Sequence, residues 1–174
     1  GRMKLAPGDA VRVKGEFDEH QRFNFFVLES RHAETPWDVF SENIGVVNNV
    51  NESKQLIRYI VDREVNGEIP MAGLIGSFAE GDAVSVKLSR HVSSRGPMYR
   101  VLTARATVKR PSDLLRKSFS EEVRVSNGMG FTQSDIFLPP HLLAKHQIVD
   151  DQKISGTAVL TYNMKRSCWG WKAV

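Results

Sequence analysis

The side chains here that could carry acid–base, nucleophilic or metal chemistry are five histidines, one cysteine and twenty carboxylates. Among His20, His32, His91, His141 and His146, only the last two stand near each other, five positions apart. No acidic residue is patterned with them as in a helical zinc site, so no metal site is expected. Cys168 sits between Ser167 and Trp169 in a strand-like segment and reads as a small packed residue, not a nucleophile. Asp150 and Asp151 are adjacent, so on a strand they point to opposite faces and cannot share a proton. No glycine-rich loop opens a helix to cradle a phosphate. These residues argue against catalysis: the chain reads as a binding module, not an enzyme, and no cofactor is expected.

The remaining chemistry is that of cations. Lysine and arginine number 24 against 20 acidic residues, a formal net charge of +4 that favours a polyanionic partner. Lys109-Arg110 and Arg116-Lys117 form the densest group. A phosphate backbone passing along such a segment would release counterions, the main source of affinity for nucleic acid. No apolar run approaches the roughly 20 residues of a membrane-spanning helix, and no membrane partner is expected. The polar opening around Met3, Leu5 and Pro7 has no apolar central region of a secretory signal. A single cysteine excludes an internal disulfide framework and a thiolate metal cluster, which fits a reducing, cytoplasmic compartment.

Whatever these residues do, a repeated scaffold must position them. Gly8-Asp9-Ala10-Val11-Arg12-Val13-Lys14 recurs as Gly81-Asp82-Ala83-Val84-Ser85-Val86-Lys87. Each copy leads into an apolar strand with a shared Val-Leu-x-x-Arg pattern, Val27 to Arg31 and Val101 to Arg105. Asp151-Gln152-Lys153-Ile154-Ser155-Gly156 occupies the same place in a third, weaker copy that ends with Trp169-Gly170-Trp171. Self-similarity of this kind is the mark of a repeat architecture. Short β-branched or aromatic runs bounded by Gly, Asn, Ser or Pro are expected to be strands at 44–50, 56–62, 83–88, 99–107, 122–126, 135–138, 153–162 and 170–174. Asn51-Glu52-Ser53 is turn chemistry between the first pair. Short helices are expected over Leu142 to His146 and over Asp113 to Lys117, the second opened by the capping residues Ser112 and Asp113.

Units of about 60–70 residues with about five short strands point to an all-β protein of tandem five-stranded OB-like barrels with short linker helices. The expected division is a hairpin and linker over 1–42, an OB-like barrel over 43–108, a linker over 109–119 and a second barrel over 120–174. The opening hairpin either ends a truncated upstream barrel or is a terminal hairpin packed on its neighbour.

The last unit resembles the cold-shock domain. Asn127-Gly128-Met129-Gly130-Phe131-Thr132, followed by Asp135-Ile136-Phe137-Leu138-Pro139, is similar to that family's glycine-aromatic-glycine-aromatic strand and the acidic-aliphatic-Phe strand after it. Asp150 to Gly156 lies where the family has a Gly-Gln-x-Val strand. The resemblance implies that Met129, Phe131 and Phe137 present a surface on which bases stack. Met129 replaces an aromatic, Pro139 stands where the family often has His, and Gln133-Ser134 is a short linker. The unit beginning Gly45-Val46-Val47 resembles the family in outline only, with Arg58 and Tyr59 on the corresponding strand.

Every base has a π-face, so aromatics at alternate strand positions rimmed by cations hold single strands at about 1–3 kcal/mol per stacked base. The expected ligand is single-stranded RNA or DNA, RNA favoured, bound with little sequence preference. Phe131, Phe137, Met129 and Tyr59 would form the stacking surface, and Arg58, Lys109, Arg110, Arg124, Lys165 and Arg166 the phosphate contacts. Trp169 and Trp171 share one strand face and are read as core or module-interface residues. Two alternatives stand beside this: a structural or protein-interaction array using edge strands and the Trp37 linker, and barrels that feed substrate to a catalytic domain elsewhere in a larger protein.

Overall fold

A computed structural model describes residues 11–30, 40–93 and 96–174. The first Gly8-Asp9 copy, His32 and Trp37 lie outside the described residues. In chain order the strands are β1 (Val11–Phe17), β2 (Phe23–Ser30), β3 (Glu42–Asn51), β4 (Leu56–Ile60) and β5 (Asn66–Pro70). A 3-10 turn (Met71–Gly73) precedes β6 (Leu74–Ile75), β7 (Ala83–Ser93) and β8 (Gly96–Ala106). There follow β9 (Arg116–Ser126), β10 (Met129–Thr132), β11 (Ile136–Leu138), helix α1 (Pro140–His146), β12 (Gln152–Asn163) and β13 (Cys168–Ala173). The fold is all-β and built of tandem OB-like modules, as its repeat predicts.

The chain divides into two compact units, one drawn from residues 1–42 with 87–102 and the other from 43–86 with 103–174. In the first, β1 and β2 pair as an antiparallel hairpin with Phe17 opposite Phe23. Phe17, Phe23 and Phe25 are 65%, 47% and 58% exposed, and their rings form a ladder with centroids 5.1 and 6.1 Å apart.

The second unit holds the closed barrel and the rest of the other sheet's strands. β10-β11-β13-β12-β9 close on themselves, with β11 and β13 parallel and the other neighbours antiparallel. The remaining sheet runs β5-β4-β3-β7-β8-β6. Its outermost strands β5 and β6 are consecutive in the chain and joined by the 3-10 turn, so it repeats the strand order of the closed barrel with one gap. The repeat has a physical basis in both. Gly81 and Asp151 each adopt a left-handed backbone, φ 93° and 58°, and each donates its N–H to the first strand of its barrel, at Val47 O and Val123 O, both at 2.8 Å. Glycine enters that conformation freely, and Asp is one of the few side chains that tolerates it.

Turn chemistry sets the hairpins. Asn127 and Gly128, φ 52° and 72°, form the two-residue turn between β9 and β10, the conformation Asn-Gly favours. Asn51 Oδ1 accepts from Lys54 N and Ser53 Oγ in the turn between β3 and β4. The helix expected at 113–117 is instead a single turn that ends in strand. Ser112 O accepts from Leu115 N and Arg116 N, and Ser112 Oγ from Leu114 N. Leu115 is then carried into the protein interior, 4% exposed, and β9 begins at the next residue.

Two cores result. Phe119, Val123, Ile136, Leu138, Leu143, Ala158 and Ala173 fill the closed barrel, with Leu143 reaching in from α1. A second cluster joins Val46 and Ile60 of one module to Leu115, Val159 and Leu160 of the other, with Trp169, Trp171 and Val174 packed against it. Polar ties reinforce it: Arg116 donates to Gly81 O at 2.8 Å, Asn48 Nδ2 to Leu160 O at 3.3 Å, and Lys172 pairs with Glu80 at 2.7 Å.

Candidate nucleic-acid interface

Residues paired directly across neighbouring strands project to the same face. Arg124 pairs with Phe131, Phe131 with Phe137, and Phe137 with Lys172, so these four side chains form one row across β9, β10, β11 and β13. Met129 lies two residues from Phe131 on the same face and is 40% exposed. The alternate positions Gly130, Thr132, Ile136 and Leu138 are buried, so alternation divides β10 and β11 into a core face and an outer face. Phe131 and Phe137 are half-buried, their centroids 5.4 Å apart and ring planes inclined at 43°. Neither belongs to the cluster joining the two barrels.

Gly130 makes this outer row compatible with a filled barrel. A Cβ there would approach Leu143, Leu138 and Val123 to 3.0–3.1 Å, tighter than packed side chains normally allow.

The turn between the two aromatic strands is clamped by acids. Glu121 Oε2 accepts from Ser134 N at 2.9 Å, and Glu122 Oε2 accepts from Gln133 Nε2 at 3.3 Å. Hydrogen bonds from the Thr132 hydroxyl, then the Ser134 backbone N–H, hold the Glu121 carboxyl below its ordinary value of 4.5, with a smaller contribution from the charge of Lys117. A lowered native pKa stabilises the fold while the group is ionised. Stability from Glu121 is therefore present above about pH 4.5 and is lost as pH falls through its native value. In denaturant unfolding measured from neutral to acid pH, Glu121→Gln is expected to flatten this part of the profile; a curve parallel to the parent's would exclude the clamp.

The other residues expected to bind fall into three places. Arg124 is exposed at the end of the aromatic row. Lys165 and Arg166 are exposed in the four-residue turn between β12 and β13, their backbone N–H groups donating to Asn163 Oδ1. Lys109 and Arg110 lie on the connection into β9, where Arg110 pairs with Asp113 at 2.7 Å. Arg110 borders a cleft of about 480 Å³ with Arg116 and Lys117, and none of the four residues of the aromatic row lines it. Lys117 itself lies 4.4 Å over the Trp171 ring.

Tyr59 is not the exposed stacking ring that the sequence suggests. It is 1% exposed, and its ring lies over Gly67, where an added Cβ would meet Tyr59 Cε1 at 3.4 Å. Burial raises its phenol pKa, and no ring face is left for stacking. Arg58, its neighbour, points to the other face and is bound by Glu68 at 2.7 Å.

Sequence reasoning missed a second aromatic feature. Tyr162 and Trp169, paired across β12 and β13, meet edge to face at 5.2 Å. They border a cleft of about 440 Å³ between the two modules, with Arg58, Asn48 and Lys172 on its other walls. Only the paired aromatics near the end of the last hairpin signalled it; the remaining walls come from distant positions. Among the described residues, no group of three or more His, Cys, Asp and Glu could hold a metal ion. No helix among them is long and apolar enough to cross a membrane.

Residues 37–101 match the family described as S1/CSD-like domain 1 of the TOTE conflict systems. Residues 117–174 match S1/CSD-like domain 2 of the same systems. No curated protein matches the chain.

Proposed function

The chain is a tandem of S1/CSD-like modules, and on that footing we propose that it binds single-stranded nucleic acid, RNA in preference to DNA, without catalysis and with little sequence preference. The observation that carries this is the outward row Arg124, Phe131, Phe137 and Lys172. In OB-type barrels the face of strands 2 and 3 and the loops joining strands 1–2 and 4–5 are where oligonucleotides bind. Here those strands are β10 and β11, and the loop joining strands 4 and 5 carries Lys165 and Arg166. Rings accept the face of any base, while Arg124, Lys165 and Arg166 neutralise phosphates. Cytoplasmic residence completes the proposal, consistent with the exposed thiol of Cys168.

Fluorescence anisotropy with labelled single-stranded RNA, single-stranded DNA and duplex tests it. RNA should bind most tightly and duplex most weakly. If about three phosphates are neutralised, affinity should fall roughly 20-fold between about 50 and 200 mM salt. Absence of single-strand binding at low salt would reject the proposal. A protein-docking role would then rest on the exposed Phe17, Phe23 and Phe25 face of the first unit.

A further inference from the structure

The bound strand has a second place to go. Lys172 belongs to the aromatic row through its pairing with Phe137, and it also borders the cleft between the two modules. Row and cleft therefore meet at one side chain. Core packing and the polar ties across it fix the modules against each other, so the cleft is formed before any ligand arrives.

The chemistry of the walls selects what enters. Arg58 is held by Glu68 and Lys172 by Glu80, each at 2.7 Å, so the nearby cations are already matched by carboxylates. A phosphate gains little from charges already paired. Between them lie the exposed edge of Tyr162, the Trp169 ring and the amides of Asn48, Asn49 and Asn66. Asn48 is 7% exposed and donates its amide N–H to Leu160 O, while its Oδ1 has no hydrogen-bond partner. Aromatic surface combined with amide groups is the environment of an uncharged, planar, polar-edged group. The cleft's roughly 440 Å³ lies within the usual range of small-ligand sites, about 300–1,000 Å³. The exposed Lys165 and Arg166 stand at the turn beside it, where flanking phosphates would pass.

We infer that the cleft between the modules seats one unstacked nucleobase of the strand that lies on Phe131 and Phe137, with Tyr162 and Trp169 as its aromatic wall. This rests on the single-strand reading given above. It gives the first module a part in binding: that module, Tyr59 included, contributes a wall of the base seat in place of an exposed stacking ring.

The test is photo-crosslinking of the full chain to an iodouracil-substituted single strand of about 12 nucleotides, a length within the roughly 4–16 nucleotide range of OB-fold sites. Crosslinked peptides are mapped by mass spectrometry, and the affinity of Tyr162→Ala is measured alongside. Crosslinks to both the β10–β11 strands and the hairpin bearing Tyr162 and Trp169 are expected, with affinity about 5- to 100-fold weaker in Tyr162→Ala. Crosslinks confined to β10 and β11, with Tyr162→Ala binding like the parent, overturn the base seat and leave the stacking row intact. Crosslinks to the hairpin alone support the seat and overturn the row. Absence of binding overturns both.

Discussion

Replacing Phe131 and Phe137 together by alanine is expected to weaken single-strand binding by about 30- to 1,000-fold, or ~2–4 kcal/mol. Each stacked base contributes about 1–3 kcal/mol. The lower part of the summed range applies because the rings are inclined at 43° and half-buried, which prevents both from offering a full face in one plane. The fold should survive the change. The barrel interior beneath these strands is supplied by Ile136, Leu138, Val123 and Leu143, all of which remain. Anisotropy titrations supply the affinity, and a thermal melt of the same variant shows whether the barrel is intact. Retained affinity in a folded double variant would sink the stacking mechanism. Its slope of affinity against salt should stay close to the parent's, because phosphate contacts set that slope and the rings do not.

Adjacent leucines give the second large effect. Leu115→Ala is expected to destabilise the two-barrel unit by about 2–5 kcal/mol, the usual cost of truncating a buried leucine. Leu114→Ala should stay within about 0.5 kcal/mol, as for surface substitutions generally. Leu115 is 4% exposed and belongs to the cluster with Val46, Ile60 and Val159, whereas Leu114 is 78% exposed. Denaturant unfolding of both variants measures the contrast. Equal losses would mean that the turn's backbone, and not the side chain it delivers, holds the modules together.

The modules were legible in the sequence because their signals are local. A left-handed backbone at Gly81 and Asp151 requires residues that tolerate it, so the Gly-Asp repeat survives in the text of the chain. The outer-face placement of Phe131 and Phe137 was legible for the same reason: alternation with Gly130, Ile136 and Leu138 is written into a few consecutive positions. What was misread depends on distant contacts. Ser112 and Asp113 suit a helix start as well as a single turn, and the outcome is set by a pocket for Leu115 built partly from Val46 and Ile60. Tyr59 was assigned to a surface although neither face of β4 is polar. The structure supplies the reason: Ile57 and Tyr59 are buried on one face, and Ile60 on the other is covered by the neighbouring module. β5 went unread because Asn66-Gly67-Glu68-Ile69-Pro70 offers a single strongly apolar residue. The cleft between the modules was signalled only by its aromatics in the last hairpin, since its walls bring together positions 48, 58, 162 and 169.

The core that Ile60 and Val46 share with Leu115 and Val159 also bears on how such a protein can change over generations. Recombination that moved one module without the other would leave half of that apolar surface facing water. The two families match separate stretches of the chain, yet neither stretch contains all the residues that keep its own surface dry. A module moved alone would therefore be less stable than the pair, and a substitution at one of these positions should favour a compensating one across the shared core.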